Sequence, residues 1–92
     1  MTTNETTDET SIESRLKGYI ESVRNTRLDM ELEDLAGKHL INDLAMDSLD
    51  IINMLFRIEE GEGLDISEAD MESHALYEFA RLADYIRQQR GA

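Results

Sequence analysis

The sequence predicts a small all-α domain: a four-helix bundle, up-and-down in outline, with a long loop after the first helix and a short third helix. Three observations lead there. No proline interrupts the 92 residues. Runs of valine, isoleucine, threonine and aromatics that would favour strands are absent. Apolar residues recur every three or four positions in separate stretches, the pattern of helix faces turned to a shared core. A chain of this length supports one domain with a modest core, not an enzyme cleft with walls of its own.

Each element can be justified in turn. Residues 1–9 are rich in threonine and acids (Glu5, Asp8, Glu9) and have too little to bury, so a disordered tail is expected there, with the folded domain over residues 10–90. Thr10, Ser11, Ile12 and Glu13 have capping-box spacing, which opens the first helix at Thr10. Its stripe is Ile12, Leu16, Tyr19, Ile20 and Val23, and it fades near Arg24. Residues 25–46 form a long connection, yet Leu28, Met30, Leu32, Leu35, Leu40, Ile41 and Leu44 are too frequent for a free linker. A helical turn over 31–36, stopped by Gly37, fits within it. The second helix spans residues 48–60, with Ile51, Met54, Leu55 and Ile58 on one face and Leu49, Ile52 and Phe56 on another; Gly61 and Gly63 end it. A brief turn follows over 68–72. The last helix covers 76–89, turning Phe79, Leu82, Ala83 and Ile86 inward and setting Arg87 and Arg90 at the negative end of the dipole.

The charge is lopsided: 21 acidic against 9 basic residues, a net of −12. Residues 42–72 hold ten of the acids and one base, so the field is concentrated in the middle third. Such a surface repels nucleic-acid phosphates and anionic lipid and attracts basic protein patches. Without cysteine there are no disulfides, no thiolate catalysis and no cysteine metal site. No apolar run approaches the roughly 18 residues that suggest a membrane span, and the polar N-terminus does not read as a secretory signal. The expectation is a soluble, cytoplasmic, monomeric protein.

The chemistry concentrates in Leu44, Ala45, Met46, Asp47, Ser48, Leu49 and Asp50. They set a serine at the start of an amphipathic helix, directly after the long loop. Taken alone, Asp47 or Ser48 would serve as a helix cap and nothing more. The context is wider. Asp47-Ser48-Leu49-Asp50, the alternating apolar and polar helix that follows, and the Glu59-Glu60 pair together resemble the acyl carrier protein family. The likeness continues through Gly63-Leu64-Asp65-Ile66 and closes at Ala83-Asp84-Tyr85-Ile86, so it covers about residues 12 to 87.

That resemblance implies a small carrier-protein bundle with 4′-phosphopantetheine attached to Ser48, and Asp47 and Leu49 as motif neighbours. It implies a phosphopantetheinyl transferase as partner, with acyl- or aminoacyl-loading and elongating enzymes that dock through basic patches. Asp50, Ile52, Phe56, Glu59 and Glu60 would form the docking face, with Asp47, Glu62 and Asp65 adding to its acidity and Leu49 to its apolar centre. Ile51, Met54, Leu55 and Ile58 would line an interior able to shelter an acyl chain, or form an ordinary packed core. The implied function is non-catalytic: carrying acyl or related intermediates as thioesters between biosynthetic enzymes. The alternative is an acidic helical interaction module without a prosthetic group.

Two other chemistries fit poorly. A nucleophilic serine needs a nearby base and oxyanion donors. Here Met46 and Asp50 stand where the glycines of a Gly-x-Ser-x-Gly elbow would be, and His39 and His74 read as loop residues outside any motif. Asp43, Asp47 and Asp50 lack the alternate-position spacing of a calcium loop, so no metal site is expected beyond weak, diffuse divalent binding. The chain also departs from the common family form. Ala45 stands where glycine is frequent, Asn53 replaces an acid, and Arg57 adds a positive charge. Glu62 takes the place of an aromatic, Ser67 that of proline, and the segment after Ile66 is longer. These departures favour a carrier of a specialised fatty-acid, polyketide or nonribosomal peptide pathway.

Overall fold

The computed structural model describes residues 11–90; the tail expected over 1–9 and the cap expected at Thr10 lie outside the described residues. Among the described residues five helices follow in order: α1 (Ile12–Arg24), α2 (Leu32–Leu35), α3 (Ser48–Glu62), α4 (Glu68–Ser73) and α5 (Phe79–Gln89). The three long ones make the bundle, α1 packing against both α3 and α5. One-turn α2 sits inside the long loop, and short α4 joins α3 to α5.

The amphipathic stripes meet as expected. Leu16 and Ile20 of α1, Ile51, Met54, Leu55 and Ile58 of α3, and Phe79, Leu82, Ala83 and Ile86 of α5 are all buried. Leu35, Leu40, Leu44 and Met46 join them from the loop, and Ile66, Met71 and Leu76 from the stretch around α4. The loop is thus fastened by its own apolar residues, whose burial gives roughly 1.5–3 kcal/mol each. Ile41 is the exception, remaining 41% exposed.

Four boundaries differ from the sequence reading. Ser11 caps α1, its hydroxyl accepting the Ser14 N–H at 3.0 Å. Either of two adjacent hydroxyls could cap, and the helical backbone takes over one residue later than the spacing suggests. Gly61 does not end α3: the helix continues through Glu62 and stops at Gly63, whose φ of 74° a glycine adopts without cost. Gly61 is needed inside the helix, because a Cβ there would lie 2.0 Å from the Tyr19 hydroxyl. The last helix opens at Phe79, three residues later than expected. Ala75 takes a left-handed φ of 55°, and the next residues are drawn into extended pairing with the long loop. His39 and Glu78 form an isolated antiparallel bridge, with Leu40 N–H on the Tyr77 carbonyl at 2.7 Å and Phe79 N–H on the Lys38 carbonyl at 3.0 Å. Finally, α4 runs to Ser73 and is closed at its start by a capping box of Ser67 and Asp70. No helix among the described residues is long and apolar enough to cross a membrane.

Candidate functional site

Ser48 is the first residue of α3, and the cap is its neighbour. The Asp47 carboxylate accepts the Asp50 N–H at 2.9 Å, while the Asp50 carboxylate accepts the Asp47 N–H at 3.2 Å. This reciprocal pair satisfies two backbone donors, and the Asp47 carbonyl opens the helical ladder by accepting the Ile51 N–H at 3.0 Å. Capping therefore needs nothing from Ser48. Its side chain is exposed, with no hydrogen-bond partner among the described residues. The N–H groups of Ser48 and Leu49 stay directed out of the first turn, where helix donors lack internal acceptors. An exposed hydroxyl beside free N–H groups at the positive end of a 15-residue helix can carry a phosphoester.

The seat before Ser48 is built by the loop. Met46 is buried and donates its N–H to the Leu40 carbonyl at 3.1 Å. Ala45, just before it, has a left-handed φ of 59°, a strained conformation for a residue with a Cβ. Arg24, from the end of α1, donates to the Ala45 carbonyl at 2.7 Å and to the Asp50 carboxylate at 3.4 Å.

Along α3 the two expected faces separate cleanly. Leu49 is 65% exposed and Phe56 59%, with Ile52 partly exposed beside them. Glu59 and Glu60 are exposed on the same helix, and Asn53, Phe56, Arg57 and Glu60 border a shallow hollow of about 270 Å³. Ile51, Met54, Leu55 and Ile58 face the opposite way into the core. Asp47 and Asp65 are exposed, and Asp50 is half-buried in its contacts with Arg24 and the cap. Asp47 and Asp50 pair in the cap of α3, whereas Asp43 is engaged separately in the loop, accepting the His39 N–H at 2.7 Å. Among the described residues no cluster suits a metal ion. His39 and His74 are loop residues: His39 accepts the N–H groups of Ile41 and Asn42 and stacks on Tyr77, and His74 rests against Tyr85.

Glu62 does not belong to the acidic face. Its side chain is 1% exposed and points into the bundle, where Arg15 Nε reaches it at 2.7 Å and Tyr19 Oη donates at 2.6 Å. Arg90, at the end of α5, closes the cluster as a third partner. Burial alone would raise the carboxyl's pKa, but Arg15, Tyr19 and Arg90 hold it down to about 2. Burial and the hydrogen bond to Glu62 push the Tyr19 phenol up to about 12. The sequence reading missed this cluster and the contacts of Arg24. One clue was available, as Arg15 and Tyr19 stand four apart on α1; nothing local marks Glu62 among so many acids.

Comparison with known proteins agrees with this architecture. No family model matches the chain. The acyl carrier protein of Buchnera aphidicola subsp. Schizaphis graminum (strain Sg) is 30% identical over 76 residues, which cover 83% of this chain and 90% of that relative. With the serine-headed helix and its outward apolar stripe in place, the chain belongs to the acyl carrier protein family.

Proposed function

We propose that this protein is a carrier whose Ser48 hydroxyl bears 4′-phosphopantetheine, transferred by a separate phosphopantetheinyl transferase. The observation that carries the reading is that Asp47 and Asp50 close the cap between themselves, leaving Ser48 exposed and unengaged at the head of α3. The residues present fit the group: the hydroxyl is reachable, and the outward N–H groups of the first turn favour an anionic phosphodiester. When attached, the group supplies a thiol for thioester-linked cargo, and the chain has no cysteine of its own to compete. Ser48 acts as a tether, not a nucleophile.

Docking falls to the outward face of α3. Leu49, Ile52 and Phe56 give apolar contact, and Asp50, Glu59 and Glu60 steer basic patches of loading and elongating enzymes. An interface of this kind favours brief encounters, which suits a cytoplasmic, monomeric shuttle that must leave each enzyme in turn. Ile51, Met54, Leu55 and Ile58 are the side chains that would part to admit an acyl chain, Met54 being the most adaptable. The positive charge of Arg57 on that face and the non-acidic Asn53 favour a specialised fatty-acid, polyketide or nonribosomal peptide pathway.

The test is co-expression with a broad-specificity phosphopantetheinyl transferase followed by intact-mass measurement. The wild-type chain is expected to gain one arm, and Ser48→Ala none while keeping its helix content. A folded wild-type chain that gains no mass would refute the reading in favour of an interaction module.

A further inference from the structure

We infer that Arg24 is a positioning residue for the modification of Ser48, a clamp that holds the loop–helix junction in the shape a transferase must meet. The inference rests on the reading that Ser48 is the attachment site. Arg24 lies in the last turn of α1, remote in sequence, and its guanidinium bridges the two sides of the junction. On one side, Nη1 donates to the Ala45 carbonyl at 2.7 Å; on the other, the same nitrogen reaches the Asp50 carboxylate at 3.4 Å. Both acceptors matter to the serine. Ala45 holds a left-handed backbone two residues before Asp47, a conformation an alanine leaves readily unless something retains it. Asp50 is the half of the capping box that accepts the Asp47 N–H.

The side chains of Arg24 and Asp50 are 27% and 26% exposed, so the contact is partly shielded from water and salt. The cap, the strained residue and the end of α1 thus form one connected unit with Ser48 at its outer edge. Releasing Arg24 frees Ala45 to relax and leaves the Asp50 carboxylate without its cation. Asp50 is the one proposed docking residue that Arg24 contacts; Phe56, Glu59 and Glu60 lie further along α3, so loss of the clamp bears on serine placement more than on docking.

Steady-state loading of the purified chain by the same broad-specificity transferase, with coenzyme A as donor, tests this in Arg24→Met. Misplacing a reacting group costs rate in the bound complex, so kcat is expected to fall about tenfold while KM for the carrier stays within about twofold. Amide hydrogen exchange at Asp47 and Asp50 should quicken in the same variant. Arg24→Lys, which keeps a cation able to reach the Ala45 carbonyl, is expected to restore most of the loss. Arg24→Gln serves as second variant if the methionine chain loses its helix content, with a smaller fall in kcat. A wild-type kcat in whichever of the two folds overturns the clamp, as does a loss confined to KM. A wild-type chain that is never loaded overturns instead the assignment of Ser48 on which the clamp depends.

Discussion

The two ends of α3 use the same chemical group in opposite ways. At the start, Asp47 and Asp50 are turned to the backbone at the surface and leave the adjacent serine open to solvent. At the end, Glu62 is sealed in the bundle and gripped by three partners from α1 and α5. A carboxylate facing water is free to steer a visitor, and its field is screened by salt. A carboxylate with 1% exposure fixes the positions of α1 and α5 and is unavailable to any partner. In a chain with a net charge of −12, the helix separates attraction at its surface from attachment at its base.

The largest effect that would break this contrast is expected at the buried end. Glu62→Gln removes the charge that Arg15 and Arg90 share and should cost about 2–3 kcal/mol, at or below the usual loss for a buried pair, because both arginines stay partly open to water. Urea unfolding at neutral pH measures it. The folded carboxyl titrates near 2 and the unfolded one near 4.5, so its contribution is complete above the higher value and is lost as pH falls toward the lower. Wild type and variant should therefore converge in stability across that window. A gap that persists at pH 2 would contradict the ionised cluster.

Next in size is Gly61→Ala. The added methyl would meet the Tyr19 hydroxyl at 2.0 Å and push it from Glu62. Overpacking costs about 2 kcal/mol here, and the helix preference for alanine returns about 1 kcal/mol, leaving a net loss that thermal melting resolves. A more stable variant would mean that Tyr19 moves aside freely. The smallest effect on the fold belongs to the open face. Reversing charge in Glu59→Lys with Glu60→Lys should leave stability within about 0.5 kcal/mol, yet slow transferase loading about fivefold at low salt. The slowing should fade as ionic strength rises, and loading that never slows would end the steering argument.

The open end was legible in the sequence and the buried end was not, for a physical reason. A serine-headed helix, its cap and its alternating faces are local patterns written within one or two turns. The spacing accordingly divides Leu49, Ile52 and Phe56 from Ile51, Met54, Leu55 and Ile58; the structure turns the first set outward and buries the second. Glu62 depends on Arg15, 47 residues away, and on Arg90, 28 away. Nothing beside it distinguishes it from Glu59 or Glu60. Gly61 reads as a stop because glycine ends helices more often than it fills them; only the approach of Tyr19 explains it inside one. The late start of α5 is likewise non-local, set by pairing with the loop at His39. Ser67 with Asp70 is the reverse case: a cap spacing open to inspection within four residues.

The bridge between His39 and Glu78 bears on the order in which the molecule is made. Met46 hangs from Leu40, and Leu40 from Tyr77, so the platform beneath the serine is incomplete until the start of the last helix has been synthesised. Local helices form early, whereas contacts spanning this much chain come late. A half-translated polypeptide on the ribosome exposes the serine without its finished surroundings. The full set of hydrogen bonds that seats this junction can close only after Tyr77 has been added to the growing chain.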